Sequence, residues 1–114
     1  MGAVPGKKFL CICQGGNSRS VALAYVLKYG TPHEALSASW EKNTPETLEM
    51  LFRWADYIFV LQKQFDQFVP VQWWNKLKVL DVGEDRWCNG LHPELVTLCQ
   101  RKLQAEHQEL FQDG

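Results

Sequence analysis

Five consecutive apolar residues, Phe9-Leu10-Cys11-Ile12-Cys13, run directly into Gln14-Gly15-Gly16-Asn17-Ser18 and then into the Ala/Leu-rich stretch Ser20-Val21-Ala22-Leu23-Ala24-Tyr25-Val26-Leu27-Lys28. A short apolar run bounded by glycines reads as a buried strand opening into a backbone-permissive loop. The next stretch reads as a helix, with Val21, Ala24 and Leu27, or Leu23, Val26 and Leu27, at helical spacing and Gly30 as its stop. A strand that enters a helix needs a crossover before the next strand pairs, which directs the chain towards a parallel sheet.

The same alternation continues. Residues 33–40 are expected as a second strand. Asn43 or Thr44 can cap a helix with Pro45 at its first position, and Leu48, Leu51, Phe52 and Ala55 repeat at helical spacing. Tyr57-Ile58-Phe59-Val60-Leu61 is a clear buried strand. Residues 65–74, broken by Pro70, are expected to hold one short helix, and Lys76-Leu77-Lys78-Val79-Leu80-Asp81-Val82 alternates into a fourth strand. A polar loop over 83–90 leads to an amphipathic helix over 93–111 with Leu95, Leu98 and Cys99 on one face. The expected fold is a three-layer α/β/α domain with a four-stranded parallel sheet. In such sheets ligands gather at the carboxyl ends of the strands, where the loops after Cys13, Leu61 and Val82 all emerge.

At 114 residues the chain suits one domain, 1–114, with residues 1–7 as a flexible leader and 113–114 as a flexible tail. Twelve Lys+Arg against 13 Asp+Glu leave a net charge of -1, so no surplus of positive charge points to nucleic acid or an acidic membrane, and any anion must be gripped locally. No apolar run approaches the roughly 20 residues of a membrane helix, and the opening residues lack the apolar core and cleavage site of an export signal. A cytoplasmic location is expected, with Cys11, Cys13, Cys88 and Cys99 as reduced thiols.

The first loop carries the chemistry. Cys13 at a strand end, under a helix amino terminus, meets the positive end of the helix dipole and unpaired amides, which favour the nucleophilic thiolate. Gly15 and Gly16 let Gln14, Gly15, Gly16, Asn17 and Ser18 curl so that their N–H groups cradle an anion. Arg19 adds a planar fork matched to two phosphoryl oxygens, and the Ser20 hydroxyl can hydrogen-bond the sulfur and ease its departure.

This segment resembles the phosphate-binding loop of cysteine-dependent protein tyrosine phosphatases. Cys13, Gly16, Ser18, Arg19 and Ser20 are similar to the dual-specificity branch, which however places the loop late in the chain after a His, where this chain has Ile12. A loop on the first strand resembles the low-molecular-weight tyrosine phosphatases and related arsenate reductases, above all short bacterial and phage proteins of that kind. Ser37-Ala38 and Trp54-Ala55-Asp56-Tyr57-Ile58-Phe59-Val60 add to the likeness. The resemblance implies a metal-independent phosphomonoesterase without cofactor, acting through a phosphocysteine on a phosphorylated protein or small aryl phosphate, with inorganic phosphate or sulfate as a site ligand. That family places Asn three positions after the cysteine, where this chain has Gly16 and carries Asn17 one later. Its general acid is an Asp-Pro after the fourth strand; matching lands on Glu84, a one-residue slip on Asp85, and Asp81 at the strand end is the third candidate. A carboxylic acid is needed there to protonate the leaving phenolate.

Trp87 beside this acidic loop is the candidate wall for an aromatic substrate; Trp73, Trp74, Phe65 and Phe68 suit packing better. Cys88, His92, Cys99 and His107 match no paired zinc-ligand spacing, so no metal site is expected. His33 and His107 are expected to be exposed. Two other functions use the same cradle: an arsenate reductase, which needs further thiols and for which Cys88 is the candidate, and a non-catalytic phosphate-binding module.

Overall fold

The computed structural model describes residues 6–14, 18–83, 87 and 91–108, apart from the side chains of residues 64 and 65. Its elements are β1 (Lys8–Cys13), α1 (Arg19–Gly30), β2 (Glu34–Ser39), α2 (Pro45–Trp54), β3 (Tyr57–Val60), β4 (Leu77–Val79) and α3 (Pro93–Glu106). The strands form one parallel sheet in the order β2-β1-β3-β4. The expected α/β architecture is the one found.

β1 lies inside the sheet, with Cys13 in register with Ser39 of β2 and Ile12 with Val60 of β3. Its side chains alternate between two cores. Phe9, Cys11 and Cys13 pack with Ala22, Leu23 and Leu27 of α1 and with Leu95, Cys99 and Leu103 of α3. Leu10 and Ile12 join Ile58, Val60 and Phe52 of α2 on the other face. A helical layer on each face explains why the strand has no polar alternation. Burying Phe9, Leu10 and Ile12, each 0% exposed, contributes about 2 kcal/mol per side chain.

Local signals set the helix starts. Thr44 caps α2, its hydroxyl accepting from the Thr47 amide at 3.1 Å, with Pro45 in the first turn. His92 caps α3 through Nδ1, which accepts from the Glu94 amide at 3.2 Å. Lys76 closes the other end of α2: Nζ donates to the carbonyls of Phe52 at 2.9 Å and Ala55 at 2.7 Å.

Several expectations change, among them the last helix, expected over 93–111, which ends at Glu106 with His107 as its C-cap. Residues 65–74 do not hold one short helix; two 3-10 helices, Lys63–Phe68 and Val71–Lys76, flank Pro70, whose ring and missing N–H hold Val69 extended. β4 is shorter than 76–82, although the ladder continues beyond it through Leu80 N to Val60 O at 2.9 Å and Val82 N to Leu61 O at 3.0 Å. His33 is 6% exposed rather than exposed, its Nδ1 accepting the Lys7 amide at 3.0 Å. His107, half-buried, stands edge-on to Phe59 with ring centroids 5.1 Å apart. Among the described residues, no helix is long and apolar enough to cross a membrane.

Candidate active site

The connection from β1 leads to β2 on one side of the sheet, and that from β3 leads to β4 on the other. Between β1 and β3 the winding reverses, and the carboxyl ends of strands at such a reversal are where sheets of this kind bind ligands. Cys13 is the last residue of β1 and Arg19 the first of α1, so the chain delivers both to that point.

Cys13 is 0% and Arg19 1% exposed. The Cys13 thiol donates to Ser20 Oγ at 3.2 Å; with the sulfur ionised, the hydroxyl is placed to donate the other way. Ser18 occupies the N-cap position, and its carbonyl accepts from the Ala22 amide at 2.9 Å. The sulfur therefore sits against the first turn of α1, the end that carries partial positive charge.

Arg19 lies along the edge of the sheet. Nη1 donates to Gln62 Oε1 at 2.7 Å and to the Gly83 carbonyl at 2.9 Å, which holds the guanidinium between the loops after β3 and β4. Burying a guanidinium demands such charge-assisted bonds.

The start of the loop is fastened from behind. Ser39, 3% exposed, donates from Oγ to the Gln14 carbonyl at 2.6 Å and accepts from the amides of Glu41 at 3.1 Å and Lys42 at 3.0 Å. The Trp40 amide donates to the Cys13 carbonyl at 3.1 Å, and Asn43 Oδ1 accepts from the Ser39 amide at 2.7 Å. Gly15, Gly16 and Asn17, expected in the anion cradle, lie outside the described residues.

On the acid side, Asp81 Oδ1 accepts from the Gly83 amide at 2.8 Å and Oδ2 from the Lys63 amide at 3.0 Å. Gly83 has φ +82°, a left-handed conformation that disfavours any side chain. Glu84 and Asp85, the other two acid candidates, follow at once and lie outside the described residues, as does Cys88. Trp87, expected as a substrate wall, is 7% exposed and packs in the core shared by α1 and α3, with its ring 5.3 Å from that of His92. It also borders a cavity of about 450 Å³ with Pro93, Glu94, Thr97, Leu98 and Arg101.

The remaining described thiols belong to the interior. Burial pushes the Cys99 thiol up to about 12, and burial, then the charges of Cys99 and Cys13, push Cys11 well above its ordinary value.

Gln62, Ser39 and the Gly83 carbonyl were not singled out by sequence. A signal for Ser39 exists once β1 and β2 are paired, because it is the polar residue in register with Cys13. Gln62 carries no local signal.

No protein-family model and no curated protein matches the chain. Solved structures do match in shape. Wzb of Vibrio vulnificus, solved with benzylphosphonate, is 18% identical with a TM-score of 0.69 over 92% of this chain and 99% of its own. The tyrosine phosphatase AmsI of Erwinia amylovora is 13% identical with a TM-score of 0.69, covering 98% of each chain. A low-molecular-weight phosphotyrosine phosphatase of Vibrio cholerae O395 is 16% identical with a TM-score of 0.61 over 91% of this chain and 98% of its own. A parallel sheet in the order β2-β1-β3-β4 with a cysteine ending its first strand is thus shaped like these proteins along almost its whole length: the chain has the low-molecular-weight phosphotyrosine phosphatase fold.

Proposed function

We propose that the chain is a cysteine-dependent phosphomonoesterase that hydrolyses aryl phosphates, phosphotyrosine in a protein or a small aryl ester. Cys13 attacks phosphorus in line; the S–P bond forms as the P–O bond to the aryl group breaks. Arg19 and the amides of residues 14–18 hold the equatorial oxygens, and Glu84 or Asp85 protonates the leaving phenolate. Water, activated by the same carboxylate, then attacks the phosphocysteine, releasing phosphate and a thiolate that Ser20 Oγ stabilises by donation.

The observation that supports this best is the 3.2 Å contact between Cys13 Sγ and Ser20 Oγ, on the first turn of a helix whose opening residue is a buried arginine. For arsenate reduction, the described thiols Cys11 and Cys99 are buried with raised proton affinity and are poor resolving nucleophiles, which leaves that role to Cys88, outside the described residues.

The test is hydrolysis of p-nitrophenyl phosphate in the presence of a chelator. Cys13→Ser is expected to abolish turnover while inorganic phosphate still binds. Of Glu84→Gln and Asp85→Asn, the variant that loses the basic limb of the kcat–pH profile identifies the acid. Undiminished hydrolysis by Cys13→Ser overturns the mechanism; phosphate binding without turnover in the unaltered chain leaves only a binding module.

A further inference from the structure

Asp81 was the third candidate for the general acid, and its surroundings suggest a different task. Its carboxylate bridges two loops, Oδ2 taking the Lys63 amide at 3.0 Å and Oδ1 the Gly83 amide at 2.8 Å. Each of those amides adjoins a group that holds the arginine. Lys63 follows Gln62, whose Oε1 accepts from Arg19 Nη1 at 2.7 Å; the Gly83 carbonyl accepts from the same nitrogen at 2.9 Å. The five residues close a ring: Asp81 to Lys63, back one residue to Gln62, across to Arg19, on to Gly83 and back to Asp81.

A guanidinium grips a tetrahedral anion well only if its plane is set before the anion arrives, because orienting a long side chain on binding costs conformational entropy. Here two acceptors from different loops set that plane, and neither loop is held by regular strand pairing at the point of contact. Gln62 lies beyond the end of β3 and Gly83 beyond the end of β4. Beyond the last ladder bond, Val82 N to Leu61 O at 3.0 Å, the two loops are joined by one carboxylate with an oxygen for each. The left-handed Gly83, φ +82°, lets the chain turn so that its amide returns to Asp81 while its carbonyl faces Arg19.

We propose that Asp81 is a positioning residue for Arg19: by clamping the Lys63 and Gly83 amides it presets the guanidinium for a tetrahedral oxyanion. This rests on the phosphatase reading only for the identity of the anion.

The experiment compares Asp81→Asn and Asp81→Ala with the unaltered chain in three measurements: Kd for inorganic phosphate by calorimetry, KM for p-nitrophenyl phosphate, and kcat against pH. Losing both clamps is expected to raise Kd and KM together by about tenfold in Asp81→Ala, with a smaller rise of about threefold in Asp81→Asn, which keeps one acceptor oxygen. Both limbs of the kcat–pH profile are expected to survive. In an Arg19→Lys background, which lacks the fork, Asp81→Ala is expected to change Kd by less than about twofold. Where alanine unfolds the chain, asparagine of nearly the same volume supplies the comparison. The proposal is overturned if Kd for phosphate is unchanged while thermal stability falls, which makes the clamp merely structural. It is equally overturned if the basic limb vanishes at unchanged Kd, which makes Asp81 the acid. Phosphate binding needs no turnover, so a chain that binds phosphate yet hydrolyses nothing defeats the phosphatase reading and still tests Asp81. A chain that hydrolyses through Cys13 with a Kd indifferent to Asp81 defeats only the clamp, and one that binds no phosphate defeats both.

Discussion

Replacing Ser39 with alanine removes one hydroxyl from behind the nucleophile's loop and leaves the sheet's apolar surface untouched. The hydroxyl donates to the Gln14 carbonyl at 2.6 Å and accepts from the Glu41 and Lys42 amides at 3.1 and 3.0 Å. In the variant the Gln14 carbonyl keeps the Glu41 amide at 3.3 Å, and the exposed turn lets water reach the other groups in part. Three neutral bonds at about 1 kcal/mol each, discounted for that rehydration, give a loss of about 2 kcal/mol. With a urea dependence of about 1.5 kcal/mol/M for a domain of this size, the unfolding midpoint should fall by about 1.3 M. Because Gln14 directly follows Cys13, the loosened loop should also raise KM for p-nitrophenyl phosphate severalfold. Ser39→Thr, which keeps the hydroxyl on a residue suited to a strand, should restore most of both. An unchanged midpoint with unchanged KM in Ser39→Ala would refute the claim that this hydroxyl braces the loop.

Two further outcomes follow from the packing. Lys76→Met keeps the apolar stem but removes the ammonium that bonds the α2 carbonyls and lies 4.8 Å over the Trp73 ring; thermal unfolding should report a loss of about 2 kcal/mol. The Cys99 thiol is raised from 9.0 to about 12, so the folded state holds its proton more tightly than the unfolded chain does. That stabilisation is complete below pH 9 and is lost as the pH rises towards 12, so urea midpoints should decline across this window, with a shallower decline in Cys99→Ala; equal slopes would contradict the assignment.

Much of the architecture is legible in single stretches. Phe9 to Cys13 and Tyr57 to Val60 declare themselves as interior strands because both faces are covered, and Thr44-Pro45 announces a helix because cap and first-turn chemistry is local. Pro70 was visible as a break, yet not that each side would wind into its own 3-10 helix. His33 and His107 read as surface residues because their neighbours in sequence are polar, whereas the rings that cover them, Phe9 and Phe59, come from distant strands. Trp87, which stands beside a polar loop in sequence, packs with residues of α1 and α3, a placement set by the tertiary fold.

The chain alone determined the alternation of strands and helices, the parallel sheet that alternation requires, and the placing of Cys13, Arg19 and Ser20 at the junction of a strand and a helix. Each of these depends on residues within a few positions of one another, where spacing and backbone preference suffice. Only the tertiary structure decided what holds that junction: Ser39 from β2, Gln62 from the end of β3, and Asp81 with Gly83 from the end of β4. These groups lie 25 to 64 positions from the residues they fasten, or join loops that only the strand order brings together. Their partners are selected by which carboxyl ends become neighbours in the sheet, a property of the whole chain's winding that no local stretch contains.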